Sequence, residues 1–109
     1  MREHEIAKEC KEYVSNHTLS RMITRETMAK EMNYTPAHLS RMFKQATGMP
    51  LMKYVREAEM KEVTELLRQG MNVTDVVAIK ECSKNGFTRA YKAVMGVNPS
   101  CVIKQDKGE

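Results

Sequence analysis

The chain contains an internal repeat, and this repeat constrains the fold more than any other feature of the sequence. Residues 39–48, LSRMFKQATG, align without gaps with residues 87–96, FTRAYKAVMG, at an offset of 48 residues. Arg, Lys and Gly recur identically, Ser is replaced by Thr, and Phe is replaced by Tyr. Since an offset of this length accommodates two helices and their turns, the sequence predicts two related helical units.

Each repeat has an apolar face at helical spacing. Apolar side chains recur at positions i, i+3, i+4 and i+7, which lie on one side of an α-helix. The two stripes are therefore predicted to be core, and they consist of Leu39, Met42, Phe43 and Ala46 in the first unit and Phe87, Ala90, Tyr91 and Val94 in the second.

The opposite face of each repeat is small, polar and basic. It consists of Ala37, Ser40, Arg41 and Lys44 in the first unit and of Asn85, Thr88, Arg89 and Lys92 in the second. A helix that enters the major groove of DNA needs short side chains for close approach and Arg or Asn to reach the base edges. Most exposed arginines only face solvent, but the recurrence of Arg and Lys at matched positions favours a binding role.

The whole chain is predicted to be all-α. It has only 5 Gly and 3 Pro among 109 residues, and its longer segments show helical spacing rather than strand alternation. Thr24 and Thr35 are predicted N-caps, Pro36 is predicted to open a helix, and Gly70 is predicted to end one. The predicted helices lie near 4–16, 24–32, 36–46, 51–69, 73–80 and 84–95, with a short one after Pro99.

The first unit fits a helix-turn-helix arrangement. Ala29 is small enough to let two helices cross closely, and Asn33 can adopt positive φ at low energetic cost. The side chains expected to fill the angle between the two helices are Met28, Met32, Leu39 and Met42.

Charge is unevenly distributed along the chain, although the net charge is only +4. The stretches 32–56 and 82–105 contain no acidic residue, whereas the residues between them, from Glu57 to Glu81, are rich in Asp and Glu. The basic residues of the two stretches are Arg41, Lys44, Lys53 and Arg56 in the first and Lys84, Arg89, Lys92 and Lys104 in the second. Two basic patches separated by an acidic connector suit a polyanion that is contacted at two places. Charge alone fits a solvated surface equally well.

Several other function classes lack support in the sequence. The charged start leads into no apolar run long enough for a signal peptide or a membrane span, which favours a cytoplasmic location. We find no phosphate-binding glycine loop, no metal-ligand spacing and no nucleophile beside a base, so we expect no enzyme activity, cofactor or metal. The length leaves no room for a separate ligand-binding module, so no small-molecule ligand is expected. Cys10, Cys82 and Cys101 are expected to be reduced thiols.

These residues resemble the DNA-binding domain of the AraC/XylS transcription regulators, over about residues 13–99. The resemblance is carried by Ile23-Thr24, Met28-Ala29, Tyr34-Thr35, residues 38–44 (HLSRMFK), Gly48, Tyr54, Leu66-Leu67, residues 73–76 (VTDV), residues 87–92 (FTRAYK), Gly96 and Pro99. It implies about seven helices in two homeodomain-like helix-turn-helix subdomains, at about 4–50 and 71–103, joined by a long helix at about 51–69. The third and sixth helices would enter successive major grooves of double-stranded DNA, roughly 34 Å apart.

The resemblance also assigns roles to particular residues. The base-reading residues would be Ala37, Ser40 and Arg41 in the first unit and Asn85, Thr88 and Arg89 in the second. Residues suited to phosphate contacts by charge and type are Thr35, Lys44, Lys53, Lys84 and Lys92. A role as an activator in the bacterial nucleoid, with a contact to RNA polymerase, is implied by resemblance alone.

The second unit departs from the family pattern. Glu81 matches Asn33 but has no easy route to positive φ, and residues 76–86 look shifted or shortened by about one residue. Gly86 within the recognition helix costs about 1 kcal/mol relative to alanine. The connecting helix carries Glu59 where the family commonly has arginine, and Val63 where it has alanine. The second unit is therefore expected to bind weakly or to contact mainly the DNA backbone.

A protein-interaction module is the main alternative. In that case the chain would be a degenerate member of the fold that has lost its affinity for DNA and contacts polymerase or another regulator. Steep loss of DNA affinity with salt would identify a groove binder, whereas an interaction module would bind little DNA at any ionic strength.

Overall fold

The protein is all-α, as the sequence predicts. A computed structural model describes residues 2–18 and 21–102, and no strand occurs within these two ranges. The helices are α1 (Arg2–His17), α2 (Arg25–Met32), α3 (Pro36–Thr47), α4 (Leu51–Arg68), α5 (Val73–Lys80) and α6 (Lys84–Met95). Residues 99–102 are also helical, which confirms the short helix predicted after Pro99. Residue 103, the predicted end of the second subdomain, lies outside the described ranges.

The helix ends follow the predicted capping chemistry, and the predicted bounds agree with the observed ones to within two residues. The Thr24 hydroxyl accepts from the backbone N–H of Thr27 at 3.1 Å, and the Thr35 hydroxyl accepts from that of His38 at 3.2 Å. Gly70 follows α4 with φ +110°, and beyond it the Met71 N–H donates to the Leu66 carbonyl at 3.1 Å. These bonds satisfy backbone groups that a helix end leaves without intrahelical partners.

The two helical units have the same internal dimensions. The starts and ends of α2 and α3 recur in α5 and α6 after 48 residues without insertion or deletion. The caps recur at the same offset: Asn72 corresponds to Thr24, Ser83 to Thr35, and Gly96 to Gly48, and each pair has the same role. The second turn therefore has as many residues as the first, and residues 76–86 are not shortened relative to the first unit.

Glu81 adopts positive φ, although glutamate has no easy route to that conformation. Glu81 has φ +54° and ψ +47°, close to the values of Asn33, φ +65° and ψ +40°. Its N–H donates to the Ala78 carbonyl at 3.4 Å, and the next N–H donates to the Val77 carbonyl at 3.3 Å. A left-handed residue is disfavoured but persists where the surrounding structure requires it. Here the bonds that end α5 and the packing of α6 impose that conformation.

The buried side chains form two clusters, and α4 contributes to both. The first cluster includes Leu51 and Val55, from the first two turns of α4, together with residues of α1, α2 and α3. The second includes Met60, Val63 and Leu67, from the rest of α4, together with residues of α5, α6 and the 99–102 segment. Val63 is thus core, although the resemblance implies a smaller residue there. The connecting helix is part of both cores rather than a free linker.

The predicted core stripes are confirmed on both recognition-type helices. Leu39 and Phe43 are fully buried, and Met42 and Ala46 are half-buried beside them. In the second unit Phe87 and Tyr91 are buried, and Ala90 and Val94 are half-buried. The three cysteines are free thiols, as expected.

The molecule is elongated, with principal extents of 48 × 23 × 20 Å. The 18 residues of α4 correspond to a helix roughly 27 Å long at the usual rise per residue. Because each end of α4 carries its own core, this helix sets the distance between the two helical units.

Candidate nucleic-acid interface

The helix α3 presents a polar and basic face opposite its buried stripe. Ala37, Arg41 and Lys44 are exposed, and Ser40 is half-buried. Thr35 caps the helix, and Pro36 occupies its first position. Because the buried residues Leu39 and Phe43 anchor the other side, α3 can rotate little about its axis. The predicted base-reading residues of the first unit are therefore held together on the outer surface.

The helix α6 repeats this arrangement. Asn85, Arg89 and Lys92 are exposed, and Thr88 is half-buried. The Ser83 hydroxyl caps the helix by accepting from the Gly86 N–H at 3.0 Å. A β-carbon on Gly86 would lie 2.9 Å from that hydroxyl oxygen, so the glycine leaves space for the cap. The second set of predicted site residues is thus brought together in the same way as the first.

One residue near Arg41 was not identified from the sequence. A terminal nitrogen of Arg41, Nη2, lies 3.4 Å from Nδ1 of His38, one turn earlier on α3. The His38 ring in turn lies 5.8 Å from the ring of Tyr34, and the Tyr34 hydroxyl donates to Glu9 on α1 at 3.3 Å. His38 therefore helps to orient the Arg41 side chain. The i, i+3 spacing of His38 and Arg41 was the only available signal.

The charge of the first turn differs between the two helices of each unit: it is acidic in the first helix and not in the second. Glu26 and Asp75 lie in the first turns of α2 and α5, where a negative charge stabilises the positive end of a helix. The first turns of α3, α4 and α6 contain no acidic residue. Lys84 and Lys53 are exposed in the first turns of α6 and α4. Helix ends of this kind remain electropositive and favour a phosphate.

Lys44 and Lys92 lie near the C-terminal ends of α3 and α6, and both are exposed. A lysine there also complements the helix dipole, so its position does not by itself show a ligand contact. The Thr35 hydroxyl accepts a backbone hydrogen bond as an N-cap, and its own O–H can still donate. All five predicted phosphate-contacting residues are therefore exposed to solvent.

Two kinds of alternative site, a metal centre and a membrane span, can be tested directly on the described residues. Within residues 2–18 and 21–102, no group of three or more His, Cys, Asp or Glu side chains could hold a metal ion. None of the helices in this part of the chain is both long and apolar enough to cross a membrane. A cleft of about 370 Å³ lies between α1, α2 and residues 80–82, away from α3 and α6.

The fold and the two exposed helices define the class as a tandem helix-turn-helix DNA-binding protein. A family model described as a helix-turn-helix domain matches residues 28–105, more than half of the chain. The chain is 30% identical over 92 residues to the HTH-type transcriptional activator AarP of Providencia stuartii, an alignment that covers 83% of this chain and 68% of AarP. The chain therefore belongs to the AraC/XylS family of transcription regulators.

Other comparisons agree with this family. The chain is 29% identical over 86 residues to the transposon Tn10 TetD protein of Escherichia coli, covering 77% of this chain and 62% of TetD. The C-terminal domain of AraT, a response regulator from Geobacillus stearothermophilus, matches with a TM-score of 0.82 and 25% identity, over 96% of this chain and 88% of that domain. The C-terminal domain of the response regulator yesN from Fusobacterium nucleatum shares the fold, with a TM-score of 0.76 and 16% identity, over 88% and 95% of the two chains.

Proposed function

We propose that the chain activates transcription by binding one DNA sequence with α3 and α6 in neighbouring segments of the major groove. The observation that carries this proposal is the exposure of Arg41 and Arg89 at equivalent positions of two capped helices, each opposite a buried stripe. Each arginine is followed one turn later by an exposed lysine. A surface shaped only by solvation has no reason to repeat this pattern.

The two helices have different base-reading chemistry. Arg41 and Arg89 suit the O6 and N7 acceptors of guanine, and Asn85 suits the N6 and N7 groups of adenine. Ala37 lets the backbone of α3 approach the groove closely, while Ser40 and Thr88 can hydrogen-bond to several bases. Because Asn85 replaces Ala37 in the second unit, the two units should prefer different base pairs.

Thr35, Lys44, Lys53, Lys84 and Lys92 are proposed to contact phosphates. Such contacts fix the position of a protein on the duplex and add affinity, but they carry little sequence information. The overall length of 48 Å accommodates two recognition helices spaced by one turn of duplex, roughly 34 Å. In this proposal the subdomains at about 4–50 and 71–103 each visit one groove, and residues 51–69 serve as the spacer.

Activation is proposed because AarP, which covers most of this chain at 30% identity, is described as a transcriptional activator. The resemblance to the AraC/XylS family implies a contact with RNA polymerase, which is therefore the proposed protein partner, in the bacterial cytoplasm. The alternative, an interaction module without DNA affinity, is less well supported. It leaves the two exposed basic faces without a role.

Selection of binding sites from random duplex DNA tests the proposal, with wild type compared with Arg41→Ala and Arg89→Ala. Each variant should lose preference at its own base pair, at a cost of about 1–3 kcal/mol for a bidentate contact. Arg68→Ala is the matched control, because Arg68 is exposed at the end of α4 and outside both recognition helices.

The possible results distinguish base reading by both units from backbone contact by the second unit and from an interaction module. If only Arg41→Ala changes the selected sequence, the second unit does not read bases and contacts the backbone instead. If wild type selects no sequence, and its weak binding does not depend on salt, the interaction module becomes the better explanation.

A further inference from the structure

Two opposite charges are buried where the two halves of the protein meet. The side chains of Glu59 on α4 and Lys80 on α5 are 0% and 1% exposed, with Lys80 Nζ lying 3.7 Å from Glu59 Oε2. Arg56, one turn earlier on α4 and partly exposed, donates to the other carboxylate oxygen of Glu59. Glu59 lies between Val55, which belongs to the first core, and Met60, which belongs to the second.

The hydrogen bonds of this pair join the two halves. The backbone N–H of Ile23, just before α2, donates to Glu59 Oε2 at 2.8 Å. Lys80 Nζ donates to the carbonyl of Thr18, and the Met22 N–H donates to the Lys80 carbonyl at 3.1 Å. The last turn of α5 in the second unit is thus bonded to Thr18 and Met22 of the first, and Glu59 anchors Ile23 to α4.

Packing within the second unit does not require a lysine at this position. The residue equivalent to Lys80 in the first unit, 48 positions earlier, is Met32, which packs against the first core. Burial lowers the pKa of Lys80, and the Glu59 carboxylate opposes this effect. A buried ion pair often contributes no more stability than well-packed apolar residues, but its geometry is directional. We therefore expect this ion pair to fix the relative placement of the two units rather than to add stability.

We infer that Glu59 and Lys80 are positioning residues that fix the separation and rotation of α3 and α6, so that the protein accepts one spacing between its two DNA half-sites. This inference rests on the proposed function. One added base pair moves the second half-site by roughly 3.4 Å and about a tenth of a turn. A rigid junction cannot follow that change without losing contacts on one side.

The test uses Lys80→Met, which introduces the residue that the first unit has at this position, and the double variant Glu59→Gln/Lys80→Met, which leaves neither buried charge. Lys61→Met is the matched control, because Lys61 is exposed on the same helix as Glu59. DNA probes carry the two base-pair clusters identified by Arg41→Ala and Arg89→Ala, at the selected spacing and with one base pair added or removed. Thermal unfolding and helical content show whether each variant folds.

Wild type and Lys61→Met should lose affinity on the order of tenfold when the spacing changes by one base pair, comparable with the effect of a mismatch. The Lys80→Met and double variants should show a loss of roughly threefold or less across the three spacings. Equal strictness in a folded variant and in wild type, or loss of affinity by the same factor at every spacing, overturns the inference. Those results leave DNA binding itself intact, whereas failure of wild type to select any sequence would disprove the proposed function.

Discussion

Tyr91 differs from Phe43, its counterpart in the first unit, by a hydroxyl group that makes a buried hydrogen bond. Tyr91 occupies the position of Phe43 and is fully buried. Its hydroxyl lies 2.5 Å from Thr64 Oγ1 on α4, and Thr64 donates to the Met60 carbonyl at 2.8 Å. Since Tyr91 can donate to Thr64 while Thr64 donates onward, every buried polar atom in this chain of bonds has a partner. The change from Phe to Tyr attaches α6 to α4.

Alkaline pH should destabilise the fold through Cys10. Burial, with a smaller contribution from Glu9, raises the pKa of Cys10 to about 11 from the ordinary 9.0. The unfolded thiol therefore loses its proton before the folded one does, and stability that is fully present below pH 9 is lost as the pH rises towards 11. The free energy of unfolding, measured with urea at each pH, should fall by on the order of 2 kcal/mol from this group.

Cys10→Ala is the comparison for this experiment, because alanine cannot ionise. Tyr13 should cause a further decline at higher pH, since burial and a hydrogen bond to Glu31 raise its pKa to about 12 from 10.0. The decline between pH 9 and 11 should be shallower in Cys10→Ala than in wild type. Parallel curves would contradict the burial of the Cys10 thiol.

At the scale of helices, the turn within each unit depends on one left-handed residue. Asn33 has this role in the first unit and Glu81 in the second. Asparagine reaches the left-handed region more readily than glutamate does, because its short side chain can hydrogen-bond locally. The two turns therefore have the same geometry but different intrinsic stability.

Glu81→Gly should stabilise the protein, by about 0.5–1 kcal/mol, because glycine adopts positive φ without the steric clash of a β-carbon. The substitution removes an exposed ion pair with Arg21, whose N···O distance is 3.7 Å, and such pairs contribute little. Thermal unfolding followed by circular dichroism measures the change.

Two controls accompany the glycine variant. Glu81→Ala removes the same ion pair but keeps a β-carbon, so it should not stabilise the fold. Asn33→Gly should have a smaller effect than Glu81→Gly, since Asn33 is less strained. A lower melting temperature for Glu81→Gly than for Glu81→Ala would show that backbone strain at Glu81 is not significant.

At the scale of the whole molecule, two stretches of the chain, 32–56 and 82–105, contain basic but no acidic residues. The acidic residues between them include Glu57, Glu62 and Glu65 on α4 itself, all at least partly exposed. Glu59, by contrast, is buried and compensated by Arg56 and Lys80. The net charge of +4 thus understates the local positive charge available to a phosphate backbone.

Salt dependence tests whether both patches contact DNA. Each phosphate neutralised by a protein cation contributes about 0.9 to the slope of log K against log salt concentration. Lys44→Ala and Lys92→Ala should each reduce the slope by about that amount and weaken binding to all sequences alike. The measurement is a binding titration at several salt concentrations.

Lys61→Ala is the control for the salt experiment, because Lys61 lies on α4 among acidic residues and should leave the slope unchanged. A reduced slope for Lys44→Ala but not for Lys92→Ala would restrict phosphate contact to the first unit, contrary to the proposal of two groove visits.

The sequence alone determined the helices, the caps of the first unit's helices at Thr24 and Thr35, and the two faces of each repeat. Helical periodicity, N-cap chemistry and the 48-residue repeat depend on residues within a few positions of one another or on identities that recur in the alignment. Thr24, Thr35 and Asn33 were therefore assigned correctly, as were the buried stripes that include Phe43 and Tyr91. The exposed positions of Arg41 and Arg89 followed from the same periodicity.

Only the tertiary structure decided how these elements are joined. Glu59 was recognisable in the sequence only as a departure from the family, yet its carboxylate bonds to a backbone group 36 residues away, and Lys80 bonds to one 62 residues away. The left-handed conformation of Glu81 likewise results from packing that its own preference opposes. Interactions between distant residues have no local pattern, since the energy of a buried charge depends on partners that only the folded chain brings together.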